Sequence, residues 1–518
     1  MRKVLLYICS VFILGGMTSC EDFLDKREDV GLTEDDIFRD YYSLRGFLDQ
    51  SFNQLENVMV MDNWENGRAF VGLFADEMAT TDNSSAVFTL HSGNWLSNAK
   101  SNKTFEIGNA GSTAISRSYK ALRINNRIIN DIDKAPLTPE QKNEILGQAY
   151  FYRSWFYFQI IKRYGGMPII DKVFEGGDDD IPRMTYHESH DWMMEDIQKA
   201  IYMLPDSWDD PNYGRPTKIA AMALKEWAQL FDASPLMQND LNSTENKGYD
   251  TERAKSAAKS AYEVIRYMDG SKSAPYPYGL ASKEEYTNVF YFKYPPVHQP
   301  EYIWVKRQFP NAANQNQKRT IRTFWQYEDL AFGSGPDGNS MCCPSLNIVN
   351  MFDKKGADGI YYPIDDPRSG YALDYDHKPF EDRDPRFYNN ILLPGTTWGH
   401  YADGRTYYIT TYKGGAAYQH MLTQKDCNKR MFTGFMCKKF MWPECNQYLE
   451  KNNPNCWWDY RFLTIYIRAS QIYLDYAEAL FEGCGSATAT IEGCPISAAE
   501  AINILRRRIG LTDLPSDI

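Results

Sequence analysis

The sequence lacks an excess of basic residues. Its 518 residues include 56 Lys and Arg against 68 Asp and Glu, which gives a formal net charge of −12 at pH 7. Proteins that bind nucleic acids without regard to sequence carry a basic surface that neutralises the phosphates. The acidic balance therefore argues against nucleic acid as a partner, and against attachment to anionic lipid by charge alone.

Long hydrophobic runs are missing after the first 20 residues. The apolar segment 4–16 is 13 residues long, whereas a transmembrane helix needs about 20. It follows Arg2 and Lys3, which is the pattern of a secretion signal. The richest later run, 149–161, contains Arg153 and is predicted to form an amphipathic helix in the core. The sequence thus predicts export but no membrane-spanning helix.

The end of this signal resembles a loose lipoprotein box. Residues 17–19 lead directly into Cys20, whose thiol would carry a diacylglycerol after cleavage just before it. Several acyl chains, each CH₂ contributing about 0.8 kcal/mol, hold a protein on a membrane durably. An ordinary secreted protein with a chance cysteine at this position is the alternative. We predict a signal peptide over 1–19 and a lipidated tether over 20–32.

Cysteine is absent between Cys20 and Cys342. Export permits disulfides among the later cysteines. Cys484 and Cys494 flank a loop rich in Gly, Ser and Thr. Among the possible pairs, this is the disulfide that we predict before any other. Zinc is the alternative for the cysteines between 427 and 456. No C-x-x-C pair occurs there, so no metal site is predicted.

Recognised catalytic motifs are also missing. The sequence contains neither a G-x-S-x-G elbow nor a P-loop, and it has only seven His. Segment 333–338 matches a dinucleotide fingerprint by letter, but it does not open a helix and contains Pro336. The two His of segment 187–190 are three apart rather than the four that zinc proteases use. A helix start with polar side chains is the favoured interpretation of that segment.

Acidic residues in the middle of the chain raise the alternative of a glycosidase, which uses two carboxyl groups about 5–10 Å apart. Adjacent acids in loops point apart, however, and Asp-Pro steps usually begin turns. No enzymatic activity is therefore predicted. The acids in question are Asp365, Asp366, Glu381, Asp382 and Asp384.

Helical periodicity and capping signals dominate both ends of the chain. Capping boxes are predicted at Thr33, Thr138 and Ser497, each followed three residues later by an acid or amide. The adjacent pairs suggest a helical-repeat scaffold, although no strict 34-residue period is present. Helices are predicted over about 34–56, 117–133, 139–163, 186–203, 217–233, 251–268, 465–482 and 498–509.

The middle of the chain has a different character. Over 271–460 Pro, Gly, Asn and Tyr become frequent, and short β-like runs occur at 302–305 and 407–410. Long irregular stretches in a compact domain are usually either functional or poorly ordered. The many aromatic residues here favour a function. We predict a mostly α fold in which helices of 33–270 and 461–518 support a loop-rich, partly β, ligand-binding insertion.

Aromatic residues make up 14 % of the sequence, with 12 Trp. Flat rings on loops beside amides suit the apolar face of a sugar ring, although each one alone could also be a packed core residue. Trp155, Trp227 and Trp304 lie on helical or strand patterns and are predicted to be core. The predicted ligand contacts are Trp64, Trp95, Trp325, Tyr327 and Trp398.

Several segments occur in an order and with residues that are typical of one family. They are 20–25, Asp76-Glu77-Met78, 119–132 with Asn125-Asn126, 149–168, Gly214-Arg215-Pro216-Thr217, Arg383-Asp384-Pro385-Arg386, 468–478 and 501–508. Through these segments nearly the whole chain, in collinear order, resembles the SusD/RagB family of outer-membrane nutrient-binding lipoproteins.

The resemblance implies paired tetratricopeptide-like helices and a role at the cell surface. The protein would bind an oligosaccharide, less often a peptide, and act as the lid of a SusC-like, TonB-dependent barrel, without catalysis. No cofactor is implied, and calcium among the loop acids is left open. Ligand residues vary within the family, so none is transferred. The chain stops ten residues after Arg508, so the family's closing segment is expected to be missing.

Overall fold

Helices that pack on one another in chain order form the scaffold. The computed structural model describes residues 33–55, 75–79, 114–174, 180–239, 247–273, 276–291, 299–307, 343–374, 376–400, 406–415, 433–439 and 463–517. The helices in these ranges are α1 (Glu34–Phe38), α2 (Tyr41–Gln54), α3 (Ala114–Asp131), α4 (Pro139–Tyr164), α5 (Tyr186–Met203), α6 (Lys218–Ala233), α7 (Thr251–Gly270), α8 (Leu346–Asn350), α9 (Pro385–Asn390), α10 (Ala469–Cys484) and α11 (Ala498–Arg508).

The long helices form a continuous series of neighbours. From α2 to α7 each helix packs on the next, α7 then packs on α10, and α10 packs on α11. Each helix therefore buries its apolar surface between two others, as in tetratricopeptide-like pairs. The predicted mostly α fold class is confirmed.

Capping side chains explain where several helices begin. Reciprocal capping boxes are present at Thr33 and Thr138, as predicted, and a further one at Thr185 starts α5. Ser497 caps α11 by accepting the backbone N–H of Glu500. The interpretation of 187–190 as a helix start is thus confirmed.

Helix α4 is the centre of the scaffold. The amphipathic pattern predicted for it is wrong, because nearly every side chain from 145 to 161 is buried. Neighbouring helices cover it on several sides, since α3 and α5 both pack along it. The rings of Phe151 and Trp155 of α4 both pack edge-on against the ring of Trp304 and so form the centre of the aromatic core.

The described strands are short, and all of them except β1, which lies between α2 and α3, fall between α7 and α10. They are β1 (Met78–Ala79), β2 (Tyr302–Arg307), β3 (Cys343–Pro344), β4 (Lys354–Lys355), β5 (Tyr361–Tyr362), β6 (Ile391–Leu392), β7 (Thr397–His400), β8 (Thr406–Tyr408), β9 (Met436–Cys437) and β10 (Leu463–Arg468). The described strands pair in twos, all antiparallel: β1 with β3, β2 with β10, β4 with β5, β6 with β9, and β7 with β8. Because α7 and α10 pack directly on each other, this loop-rich layer has the position of an insertion between them.

The pairing of β2 with β10 corrects one helix boundary. The predicted helix over 465–482 begins only at Ala469, because the preceding residues form β10, with Ile465 opposite Val305. Thr464, Ile465 and Ile467 are β-branched, which favours a strand once a partner is available. The pair joins the start and the end of the loop-rich layer.

The predicted Cys484–Cys494 disulfide is not present in the structure, where both thiols are free. Cys484 ends α10, and Gly485 in the left-handed region then turns the chain away. The Cys494 thiol lies beside the Tyr476 hydroxyl, and burial raises its pKa.

Two further features concern the described residues only. None of their helices is both long enough and apolar enough to cross a bilayer. No cluster of three or more His, Cys, Asp or Glu within them is arranged to hold a metal ion.

A buried ion pair joins α4 to α5. The Arg153 guanidinium donates to both carboxylate oxygens of Asp196 at 2.6 and 2.8 Å, and to Asn126 Oδ1 at 2.9 Å. The side chains of Arg153 and Asp196 are 6 % and 2 % exposed. Asn126 in turn donates to the carbonyls of Ile170 and Lys172. This network holds the segment after α4 against α3.

We expect Asp196→Ala to lower the free energy of unfolding by about 3–5 kcal/mol, because it leaves a buried guanidinium without its counter-charge. Urea denaturation followed by circular dichroism measures the change. Asp133→Ala, which removes a far more exposed pair with Lys142, is the control, since exposed pairs contribute about 0–1 kcal/mol. Equal effects of the two substitutions would contradict the assignment.

Two carboxyl groups meet where α6 packs on α10. Glu226 is buried, and burial together with the nearby charge of Asp475 raises its pKa well above the ordinary value. Burial, partly offset by a hydrogen bond from Gln471, raises the pKa of Asp475 to about 7. The pair therefore keeps a proton in the folded state under conditions in which the unfolded chain has lost it.

The pair makes stability pH-dependent. Between the ordinary carboxyl pKa near 4 and the folded value near 7, the folded state binds more protons, so stability falls as pH rises, by at most about 1.4 kcal/mol per pH unit for each group. Glu226→Gln supplies an uncharged partner, so we expect a shallower fall and greater stability than the parent at pH 8. Urea midpoints from pH 5 to 8, with exposed Glu263→Gln as control, measure this. Parallel curves for parent and Glu226→Gln would refute it.

Candidate functional site

Most of the predicted ligand contacts lie outside the described residues. This is the case for Trp64, Trp95, Trp325 and Tyr327, and also for the lipidation site Cys20. Those assignments stay predictions. Trp398 lies in β7, but its side chain is not among the described ones.

The β7–β8 hairpin presents aromatic rings that the sequence analysis missed. Tyr408 is paired opposite Thr397 and is 57 % exposed, and Tyr412 just beyond the hairpin is 51 % exposed. The only signal for them was the β-like run 407–410. Both rings are therefore available for contact with a ligand in solution.

The segment Arg383-Asp384-Pro385-Arg386 is an anchor and not a reactive site. The Arg383 guanidinium is buried and donates to the carbonyls of Val349, Phe352 and Pro379 at 2.7, 2.6 and 3.0 Å. Burial lowers its pKa. One side chain therefore ties the end of α8 and the segment at Pro379 to the start of α9.

Two of the acids considered for glycoside chemistry, Asp366 and Asp384, have structural partners. Asp384 is fully buried, caps α9, and pairs with Arg386 at 2.5 Å. Asp366 caps the short helical turn Pro367–Ser369 and binds Arg368. Both Asp-Pro steps thus begin turns, as their sequence indicates.

A buried carboxylate joins the layer to the last helices. Glu301, just before β2, accepts hydrogen bonds from Arg468 at 3.1 Å and Arg508 at 2.8 Å, and from the Ala281 N–H at 3.1 Å. Its side chain is 0 % exposed. The single carboxylate therefore holds β10, α11 and the 276–291 segment at one point.

Strand β2 is also fixed to the scaffold along its length. The Trp304 ring packs 4.8 Å from that of Phe151 and 4.6 Å from that of Trp155, and the rings of Tyr466 and Trp304 are 4.6 Å apart. Lys306 donates to the Leu55 carbonyl at the end of α2, and burial lowers its pKa to about 8. Trp155 and Trp304 are core residues, as predicted.

A pocket opens beside β2, between the segments 207–217 and 276–278. The cavity itself is small, about 50 Å³, and it opens into a wider mouth that is continuous with solvent. Aromatic side chains form much of its wall: Trp208, Tyr213, Tyr276, Tyr278 and Tyr302. The sequence analysis missed it because these rings come from three separate segments.

The back wall of the pocket is rigid. Gly214 has φ +97°, and a Cβ there would lie 3.2 Å from the Val305 carbonyl oxygen, so only glycine fits without strain. Its carbonyl accepts the Trp304 indole N–H at 3.2 Å. Next to it, Arg215 donates to Gln148 at 3.0 Å and to Asp49 at 2.9 Å. The Gly-Arg-Pro-Thr segment thus connects the pocket to α2 and α4.

Two phenols of the wall, those of Tyr213 and Tyr302, stay neutral. Burial raises the pKa of Tyr213 and of Tyr302, and the Tyr302 hydroxyl donates to the Val289 carbonyl at 2.7 Å. The Trp208 indole donates to the Pro216 carbonyl at 2.8 Å. These contacts orient the rings, so Trp208, Tyr213 and Tyr302 offer uncharged aromatic surface to the pocket.

Two family models match the sequence. A SusD-like model, described as starch-binding and associating with the outer membrane, matches residues 22–226, and the SusD family model matches residues 300–517. The chain belongs to the SusD/RagB family. Among curated proteins, none matches it.

Solved SusD-like structures share the fold. One from Bacteroides fragilis NCTC 9343 is 21 % identical, with a TM-score of 0.64 over 94 % of this chain and 82 % of that one. A SusD-like carbohydrate-binding protein from the same organism is 18 % identical, with a TM-score of 0.63 over 92 % and 80 %. A laminarin-binding SusD-like protein is 17 % identical, with a TM-score of 0.54 over 92 % and 86 %.

We expect Glu301→Gln to lower the free energy of unfolding by about 3–5 kcal/mol, since two arginines would lose their shared buried counter-charge. Urea denaturation measures the effect, and Glu284→Gln on the exposed part of the same segment is the control. If both variants unfold at the parent's midpoint, the carboxylate does not hold the junction.

Proposed function

We propose that the protein is an outer-membrane lipoprotein that binds an oligosaccharide at the cell surface without cleaving it. The observation that carries the proposal is the family match over both halves of the chain, the first half to a model described as starch-binding. The laminarin-binding structural neighbour is in keeping with this assignment.

The surface chemistry supports a sugar ligand. The pocket and the β7–β8 hairpin offer uncharged aromatic faces, and C–H faces of sugar rings stack on such surfaces. Neutral glycans require no metal or cofactor for this contact. The net charge of −12 disfavours polyanions as cargo.

The absence of cleavage is supported by the roles of the described loop acids. Asp384 and Asp366 are each occupied by a cap and an arginine. A glycosidase needs one carboxyl group held protonated and a second one facing it across the bond. Neither residue has such a partner acid among its contacts.

Two further parts of the proposal follow from the family. Acyl chains on Cys20 would anchor the protein to the outer membrane, facing outward. A SusC-like TonB-dependent barrel would be the partner, with this protein as its lid, so that bound oligosaccharide is delivered for import.

We expect native gels containing one of a panel of neutral polysaccharides to retard the chain that begins at residue 21. The recovered polysaccharide should keep its length, as size-exclusion chromatography would show. Trp398→Ala or Tyr408→Ala should reduce the retardation, because each removes a ring from the hairpin, whereas Tyr42→Ala, an exposed ring on α2, should not. Shortened polysaccharide after incubation would contradict the proposal.

A further inference from the structure

We propose that Cys343 and Cys437 form a disulfide that joins two of the strand pairs in the loop-rich layer. The inference rests on the proposed function only for the export of the chain, because exported proteins enter an oxidising compartment. The pair differs from the predicted Cys484–Cys494 disulfide. No bond joins the sulfurs of Cys343 and Cys437 in the structure, which therefore corresponds to the dithiol form.

The two cysteines lie on strands that are close in space. Cys343 belongs to β3 and Cys437 to β9, and every Cα of β3 lies within 8 Å of every Cα of β9. The Cα atoms of two bridged cysteines are usually about 4.4–6.8 Å apart. The bond therefore requires at most a small approach of the two strands, each of which is hydrogen-bonded to a different neighbour.

Both side chains are enclosed by the layer. Cys343 is 0 % exposed and Cys437 is 2 % exposed. Burial, and to a lesser degree the neighbouring Cys343 sulfur, raises the pKa of the Cys437 thiol to about 12. This thiol donates to the Lys439 carbonyl at 3.2 Å. Because disulfide exchange proceeds through a thiolate, we expect the bond to form before the layer closes and then to resist reductants in the folded chain.

The chemical step is an exchange with an external disulfide. One cysteine loses its proton and attacks a sulfur of the oxidant, whose other sulfur leaves and takes up a proton. The second cysteine, also deprotonated, attacks the first cysteine's sulfur and releases the remaining half of the oxidant as a thiol. The two cysteines are thereby oxidised to one S–S bond, and the oxidant is reduced by two electrons to two thiols. A protein or small-molecule disulfide of the oxidising compartment is the oxidant.

The bond would fix the base of the β7–β8 hairpin. Cys343 is paired opposite Ala79 of β1, and Cys437 is paired opposite Ile391 of β6. Strand β6 precedes the hairpin in the chain. One S–S bond thus ties a segment from before α3 to the strand that leads to the exposed Tyr408 ring. It also closes a loop of roughly 95 residues, which restricts the unfolded chain and so stabilises the folded one.

Peptide mapping by mass spectrometry on the detergent-solubilised full chain tests the inference. Urea and iodoacetamide are added together, and trypsin digestion follows without reductant. We expect peptide 323–354, which contains Cys342 and Cys343, to be recovered bound to peptide 431–438, which contains Cys437. Dithiothreitol should remove the link from the unfolded chain but not from the folded one, because both sulfurs are buried.

Cys342→Ser is the matched control, because it removes the adjacent thiol and should leave the link intact. Cys343→Ser should abolish the link and leave Cys437 alkylated. Should Cys343→Ser fail to fold, the parent supplies a second measurement. Its urea midpoint should be higher without dithiothreitol than with it, and Cys342→Ser should show the same difference, since the cross-link is present in both.

The outcomes decide the pairing. The assignment is wrong if Cys437 of the parent is alkylated or is linked to a different peptide. It is also wrong if Cys342→Ser removes the link while Cys343→Ser retains it. Glycan binding is tested separately by the native gels, so a chain that carries the linked peptide and binds no polysaccharide would overturn the proposed function and leave the disulfide established.

Discussion

The buried carboxylate of Glu301 is the constraint on which the arrangement of the loop-rich layer depends. It is fully enclosed and neutralised by Arg468 and Arg508, which come from the strand and the helix that follow the layer. A charge in such a place is tolerated only when its partners are held in position. The layer therefore cannot shift relative to the last helices without exposing an unpaired charge, and the strand β2 that follows Glu301 has a fixed place.

That fixed strand connects the scaffold to the pocket. The Trp304 ring of β2 packs against the aromatic residues of α4. Tyr302 of the same strand forms part of the pocket wall. Since α7 and α10 pack directly on each other, the buried residues that the described part of the layer adds to the helical core come from the paired strands β2 and β10, such as Trp304 and Ile467. Loop closure costs little more for a long insertion than for a short one, so the layer can vary while the scaffold stays the same.

The helices could be predicted because their caps are contacts between residues close in sequence. The strands and the pocket depend on contacts between residues far apart in sequence. Thr33, Thr138 and Ser497 marked helix starts because a cap is a contact within four residues. The boundary at Ala469 was predicted wrongly because β10 exists only through its partner strand, far away in sequence. The pocket was missed for the same reason: no single segment contains enough of its wall to show a pattern. The tryptophans predicted to contact a ligand are those with amide residues next to them in the sequence. Such neighbours do not indicate which segments lie together in the fold.

The wall of the pocket contains positions that are committed to the fold. Gly214 and Arg215 make backbone and charge contacts with β2, α2 and α4, so a change there would disturb the core. Tyr302 likewise lines the pocket while its hydroxyl donates to the Val289 carbonyl at 2.7 Å. The contacts that hold β2 against the scaffold therefore also set the shape of this wall, because the same strand makes both.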